Sequence, residues 1–150
     1  MLYFNFINET NRKVQKSNLM QLVDKTYVVM KSYVDKKLKG LDGQFDCIIV
    51  DDKTIHKINK EHRHKDKPTD VITFAYLEVT DWETVEEGLV VGDIFISIDT
   101  AERQAKEKGH SLKREIEILF VHGVLHALGF DHNNDEEEAE MEGWAKKILD

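Results

Sequence analysis

The chain has 150 residues, 41% of them hydrophobic, and a formal net charge of −8. This length predicts one domain over residues 1–150 with room for a substantial core, and the acidic balance at first argues against nucleic-acid binding. Cys47 is the only cysteine, which excludes an internal disulfide and a thiolate-rich zinc site and favours a reducing compartment.

Hydrophobic periodicity and turn residues predict an α+β fold with helices packed on a small mixed sheet. The predicted strands are Leu2–Ile7, Phe45–Val50, Val71–Tyr76 and Leu89–Ile98, with Gly92 and Asp93 as a bulge or a point of close approach. The first predicted helix covers residues 16–38 and ends near Gly40, and the second is capped by Asp51 or Asp52 and runs to about Lys60. Two further helices are predicted at Thr100–Lys108 and at Leu112–Leu128, the latter capped by Ser111. A C-terminal helix is predicted with Met141, Trp144 and Ile148 on one stripe. Segments 65–69 and 78–88 are predicted loops.

No segment of the sequence has the pattern of an export signal or a membrane span. The N-terminal residues lack the basic and apolar regions of a signal peptide, and no apolar run approaches the length of a transmembrane helix. A cytoplasmic protein without a membrane partner is therefore expected.

The charges are unevenly distributed along the chain. Residues 53–67 carry six bases against two acids, and residues 12–39 carry eight bases against two acids. Acids dominate residues 78–87 and 131–150. Each run fits a solvated surface, but local patches govern phosphate contact, so an acidic chain can still present a basic face.

The helix predicted at residues 112–128 is apolar on nearly every side from Ile116 onward, so it is expected to be buried and central. It carries His122 and His126, whose spacing of four places both imidazoles on one face. Gly129 can end the helix in the left-handed conformation and bring His132 beside them. Three neutral imidazoles suit one tetrahedral zinc ion with an open fourth position; nickel or copper also fits.

The spacing from His122 to His132 is that of the metzincin peptidases, with one difference. Peptidases of that class carry a glutamate general base after the first histidine, and this chain has Gly123 there. The same metal geometry can serve phosphodiester cleavage if a cation stabilises the transition state. Arg63, in a basic segment before a strand, is a candidate for that cation, although arginines are most often simply exposed. His56, His62, His64 and His110 lack partners at ligand spacing and are interpreted as surface residues.

Three motifs lie in order between residues 58 and 132. They are Ile58-Asn59 through Arg63 with Lys65-Asp66-Lys67-Pro68-Thr69-Asp70-Val71-Ile72-Thr73-Phe74, then Val91-Gly92-Asp93-Ile94, then His122-Gly123 through Leu128-Gly129-Phe130-Asp131-His132. With this order and spacing the chain resembles the YbeY family of rRNA maturation endoribonucleases. Ala75 is a departure, since many members have proline there.

The resemblance implies a zincin-like fold and one zinc ion held by His122, His126 and His132. It also implies metal-dependent cleavage of single-stranded RNA, with a role in the 3′-end maturation of 16S rRNA and in ribosome quality control. The implied partners are rRNA and the small ribosomal subunit with its factors; no DNA partner is expected. Arg63 and His122 are the candidate catalytic residues, and Arg63 with Lys65 the candidate substrate-binding residues.

Two carboxylates are candidates for hydrogen bonding to the ligand rings, Asp131 and Asp93; Asp131 is also a possible fourth ligand. Two other functions stay open at this point: a zincin-like metallopeptidase, which Gly123 argues against, and a non-catalytic ribosome-associated protein in which zinc serves only the fold. The nucleophile for RNA cleavage is either the 2′-hydroxyl of the RNA or a zinc-bound hydroxide.

Overall fold

The structure is a computed structural model that describes residues 1–150, and its fold is α+β, as predicted. Four strands form one mixed sheet in the spatial order β1-β2-β4-β3. Strands β1 (Leu2–Asn8), β2 (Gly43–Val50) and β4 (Leu89–Ser97) run parallel to one another, and β3 (Val71–Ala75) pairs antiparallel with β4. The antiparallel strand β3 therefore forms one edge of the sheet.

Six helices surround the sheet. They are α1 (Ser17–Val29), α2 (Lys31–Lys37), α3 (Asp52–Arg63), α4 (Ile98–Lys108), α5 (Leu112–Ala127) and α6 (Asp135–Leu149). Asp51, Ser97, Ser111 and Asn134 cap the last four by accepting a hydrogen bond from a first-turn backbone N–H. None of the helices combines the length and the apolar character needed to cross a bilayer.

The prediction of one helix over residues 16–38 was wrong in one respect. The backbone leaves helical geometry at Met30, with φ −114° and ψ 23°, and divides the segment into α1 and α2. Met30 is nevertheless buried, as are Leu22 before it and Val34 after it. The apolar spacing survives the break because both helices pack on the same core. The segment predicted as a loop over residues 78–88 overlaps a short 3₁₀ turn at Leu77–Val79, and the first residue of this turn is buried.

Side chains alternate between the two faces of the sheet, and each face has its own apolar cluster. The main core contains 28 residues and joins α1, α2, α5 and α6 to one face, where Phe45, Cys47 and Ile49 point. The smaller cluster lies under α3 on the other face and contains Ile48, Val50, Ile55 and Ile72.

Gly92 lies at a close contact between α5 and the sheet. The register of β4 against β2 shifts so that Val91 is skipped, which places the bulge one residue before the predicted Gly92-Asp93. A Cβ at Gly92 would lie 2.7 Å from the Ala127 Cβ. The C-terminal end of α5 therefore packs directly on β4, and this contact fixes the helix end that carries the histidines.

Candidate metal centre

The turn after α5 has the geometry that the sequence predicts. Gly129 adopts a left-handed backbone with φ +107°, and the Phe130 N–H donates to the Leu125 carbonyl oxygen at 3.0 Å. A glycine reaches this conformation without steric cost. The chain therefore reverses directly after the helix and returns past its last turn.

Because of this reversal, the three predicted histidines lie together. One ring nitrogen from each histidine lies within 4.8 Å of the corresponding nitrogen of the other two. Ring centroids are 4.7 Å apart for His122 and His126, and 4.9 Å apart for His126 and His132. No other histidine, cysteine, aspartate or glutamate joins this cluster. Three protein donors without a fourth are the pattern of an open metal site.

The protonation of the rings suits metal binding. The Nδ1 of His126 lies 3.0 Å from the Phe130 carbonyl oxygen. A carbonyl oxygen can only accept, so Nδ1 carries the proton and Nε2 keeps its lone pair. Burial, reinforced by the neighbouring His126 and His132, lowers the pKa of His122 to about 4; burial also lowers the pKa of His126. Both rings are neutral near pH 7, the form that binds a metal.

Two carboxylates predicted as hydrogen-bonding partners of the rings have other partners in the structure. An Asp93 oxygen accepts from the Tyr76 hydroxyl at 2.7 Å. Asp131 accepts from the backbone N–H of His132 at 2.8 Å, and neither carboxylate accepts from an imidazole. The sequence did not reveal that His126 pairs with the Phe130 carbonyl oxygen. Every residue carries a backbone carbonyl, so residue types cannot indicate such a partner.

The histidines open into a cleft of about 1120 Å³ beside the edge strand β3. Val71, Thr73 and Ala75 of that strand line the cleft, together with Arg63, Thr69 and Asp70. Arg63 is the last residue of α3, is exposed and forms no ion pair. Its guanidinium is therefore available to an anionic ligand in the cleft. Lys65 does not line the cleft, and its role in substrate binding stays a prediction.

The loop after Arg63 is held by a buried asparagine. Asn59 Nδ2 donates to the Lys67 carbonyl oxygen at 2.8 Å, and the backbone carbonyl oxygen of Asn59 accepts a hydrogen bond from the Lys65 backbone N–H at 3.2 Å. His64 takes a left-handed backbone with φ +58° in this turn. Asn59 belongs to a motif recognised in the sequence, but its contacts depend on a fold-back that spacing alone does not predict.

Gly123 occupies the position of the peptidase glutamate, and the structure leaves no room for a side chain there. An added Cβ would lie 2.6 Å from Ile94 Cγ2 and 3.0 Å from Thr73 Oγ1, both on the sheet. Any side chain at this position would clash with Ile94 and Thr73 unless the helix or the strand moved. The general base of the metzincin pattern is therefore excluded at residue 123 on steric grounds.

These features define an α+β protein with a cluster of three histidines that could hold a metal ion, on a buried helix and the turn that follows it. Residues 5–150 match the family described as Endoribonuclease YbeY, and the chain belongs to this family.

Curated relatives support the assignment over most of the chain. An endoribonuclease YbeY of Bacillus pumilus is 43% identical, covering 88% of this chain and 93% of that protein. The protein of the same name from Heliobacterium modesticaldum is 45% identical, covering 72% of this chain and 69% of that one. Among solved structures, the solution structure of TM1509 from Thermotoga maritima superposes with a TM-score of 0.51 at 23% identity, covering 97% of this chain and 88% of that one, which supports the fold.

Proposed function

We propose that this protein is a metal-dependent endoribonuclease that cleaves single-stranded RNA. The observation that carries the proposal is the convergence of three imidazoles in a cleft whose wall presents an unpaired arginine. Relatives that are 40–45% identical to this chain over the aligned residues are named endoribonucleases. A metal site beside a free guanidinium suits an anionic phosphodiester better than a neutral peptide bond.

In this proposal His122, His126 and His132 hold one divalent ion, zinc in the first place. The donor set fits: three imidazoles, two of them neutral through burial, with one ring oriented by the Phe130 carbonyl. When bound, such an ion supplies Lewis-acid polarisation of a phosphoryl oxygen and lowers the pKa of water. Nickel or copper would also suit three imidazoles, so elemental analysis of the purified protein is the direct test of the metal.

Arg63 binds the scissile phosphate in this proposal. A guanidinium can donate two parallel hydrogen bonds to phosphate oxygens and offset the charge that grows on them during cleavage. The nucleophile is the 2′-hydroxyl of the RNA or a water molecule, and the product ends distinguish the two. Attack by the 2′-hydroxyl leaves a 2′,3′-cyclic phosphate, whereas attack by water leaves a linear phosphate.

We place this activity in the cytoplasm, in 16S rRNA 3′-end maturation and ribosome quality control, with the small ribosomal subunit and its factors as partners. Residues 1–150 act as one hydrolase domain in this proposal, which the single main core of 28 residues supports. Cells that lack the protein should accumulate small-subunit rRNA with an unprocessed 3′ end. Normal 3′ ends in such cells would contradict this assignment.

The activity is tested with purified protein on single-stranded RNA. Cleavage should stop on chelation and in His122→Ala, and it should continue in His56→Ala, which removes a histidine outside the cleft. Equal cleavage by wild type and His122→Ala would point to a contaminating nuclease and contradict the proposal.

Two alternatives make different predictions. A peptidase would degrade unfolded protein with a metal dependence that His126→Ala abolishes, and Gly123 argues against this outcome. A non-catalytic ribosome-associated protein would keep full rRNA processing in Arg63→Glu. That variant should retain metal and stability, since Arg63 is exposed and unpaired, so loss of processing would favour catalysis.

A further inference from the structure

Helix α2 forms a second wall of the cleft. Tyr33, Lys36 and Lys37 line it together with the histidines and Arg63. Arg63 ends α3, which packs on the face of the sheet that holds the small cluster, whereas α2 belongs to the main core on the other face. The cations of the cleft therefore come from opposite sides of the sheet.

Tyr33 docks α2 onto the turn that carries the metal ligands. Its hydroxyl donates to the Leu128 carbonyl oxygen at 2.9 Å, and its ring lies 4.8 Å from the Phe130 ring. Lys36 and Lys37 follow Tyr33 by three and four residues, so all three share one face of the helix. That face is turned toward the segment between His126 and His132.

The Lys37 ammonium group lies close to Gly129. Its Nζ lies 3.0 Å from the place where a Cβ at Gly129 would stand. The ammonium group thus lies over the turn that brings His132 back to the helix. A phosphate beside the histidines on this side of the cleft would meet this cation.

Neither Lys36 nor Lys37 has a partner within the protein. Lys31 of the same helix is bound by Asp35 at 2.6 Å, but no carboxylate lies within ion-pair distance of Lys36 or Lys37. Three carboxylates share the cleft with these cations: Asp70, Glu78 and Asp131. Anion binding here therefore depends on the local position of each cation and not on net charge.

An aromatic residue completes this side of the cleft. Trp82 lines it, is half-buried, and lies under the Lys39 ammonium, with 4.3 Å between Nζ and the ring centroid. Cations along a groove combined with an aromatic surface are the usual features of single-stranded nucleic-acid binding, in which lysines contact phosphates and bases stack on rings. A free phosphate or a small anion would not need the indole.

We propose that single-stranded RNA continues from the histidines along α2, where Lys36 and Lys37 bind its phosphates and a base contacts Trp82. This deepens the proposed function and rests on it, since it extends the RNA path beyond Arg63. Lysines near the end of a helix also interact favourably with the helix dipole, so a test must separate that effect from RNA binding.

Helix α6 provides a matched control. Lys146 and Lys147 are adjacent lysines in its last turn, as Lys36 and Lys37 are in α2. Lys147 lies over Trp144 at 4.9 Å, as Lys39 lies over Trp82. None of these α6 residues lines the cleft.

Binding is measured by anisotropy with a labelled 2′-O-methyl RNA oligonucleotide, which lacks the internal nucleophile. Lys36→Ala/Lys37→Ala should bind roughly tenfold more weakly or worse, and the slope of log affinity against log salt should fall by about 1.4, about 0.7 for each lost phosphate contact. Lys146→Ala/Lys147→Ala should match wild type. Wild-type binding by the α2 variant, or equal weakening in both variants, would overturn the proposal.

The two tryptophans report the position of the strand. In Trp144→Phe the only indole is Trp82, and its fluorescence should change on addition of the oligonucleotide. In Trp82→Phe the remaining Trp144 should not respond. Unchanged emission in Trp144→Phe would refute the contact with Trp82.

RNA cleavage by wild type, measured alongside, distinguishes this inference from the proposed function. If wild type cleaves RNA and the α2 variant binds as wild type does, the path along α2 is wrong and the proposed function stands. If wild type neither cleaves nor binds RNA, the proposed function fails, and the path along α2 fails with it.

Discussion

Gly123→Ala should destabilise the protein, although alanine is the better helix former. Gly123 is buried in the middle of α5 and faces the sheet. The added Cβ would lie 2.6 Å from Ile94 Cγ2 and 3.1 Å from Ile94 Cγ1, and Ile94 is itself completely buried. Carbon atoms prefer a separation of roughly 3.5–4.0 Å, so the helix or the strand must move by a large part of an ångström.

The expected magnitude follows from two opposing effects. Overpacking a dense core costs about 1–3 kcal/mol, and contacts with two residues of the sheet place this site toward the upper end. Replacing a glycine by alanine within a helix recovers about 1 kcal/mol. The net loss is therefore about 2 kcal/mol, which corresponds to a melting temperature lower by roughly 4–8 °C for a chain of this size.

Gly143→Ala is the matched control. Gly143 lies within α6, and nothing stands within 4 Å of its added Cβ. The same substitution should stabilise the protein here by roughly 0.5–1 kcal/mol, because only the helix propensity changes. The two variants are compared by urea denaturation and by thermal melting, and they should move in opposite directions.

The effect of Gly123→Ala should extend to the metal site. A shift of α5 away from the sheet moves His122 and His126 relative to His132, so zinc affinity should fall together with stability. Gly123→Ala that is as stable as wild type, or as stable as Gly143→Ala, would refute the close contact between α5 and β4 and the steric argument against a glutamate at this position.

Three further changes test other parts of the structure. Asn59→Ala removes the hydrogen bond to the Lys67 carbonyl oxygen, and it should lower the free energy of unfolding by about 1–3 kcal/mol in urea denaturation. The KM for RNA should rise, because the turn after Arg63 loosens. Burial lowers the pKa of His122 from 6.5 to about 4, so between these pH values the unfolded chain binds more protons than the folded protein. The urea midpoint of the metal-free protein should therefore fall as the pH drops through this range, and this pH dependence should be weaker in His122→Gln. Glu115 is completely buried, with His110 Nε2 at 2.6 Å and Lys108 Nζ at 3.3 Å. His110→Ala removes the nearer partner of this buried carboxylate and should cost about 1–3 kcal/mol in urea denaturation, whereas Lys108→Ala, at a half-exposed residue, should cost less than about 1 kcal/mol.

The parts of the site that the sequence predicted correctly depend on short-range geometry. His122 and His126 share a helix face because they are four residues apart, and Gly129 reverses the chain because it accepts a positive φ. Ser111 caps α5 by accepting a hydrogen bond from the backbone N–H of Arg114, three residues later. Each relation lies within one helix or one turn, so local backbone geometry determines it whatever the rest of the fold does.

The parts that the sequence missed depend on contacts between distant segments or on backbone groups. Tyr33 and Leu128 are 95 residues apart in the chain, and only the packing of α2 brings the hydroxyl to that carbonyl. His110, interpreted from the sequence as a surface residue, instead contacts a glutamate inside the first turn of α5. A carboxylate on a helix reads as a solvated charge until the tertiary structure shows which face is buried.

The edge strand beside the histidines sharpens the choice between peptide and RNA as substrate. An exposed edge can bind an extended peptide through backbone hydrogen bonds, and β3 lines the cleft with Val71, Thr73 and Ala75. Binding a peptide is not sufficient for cleaving it, because the amine leaving group needs a proton that the metzincin glutamate would deliver. Here Ile94 and Thr73 fill the space where that side chain would begin. RNA carries its own hydroxyl next to the phosphate. The cations of α2 and α3 flank the histidines on either side of the sheet, so the residues present suit the cleavage of a phosphodiester better than that of a peptide bond.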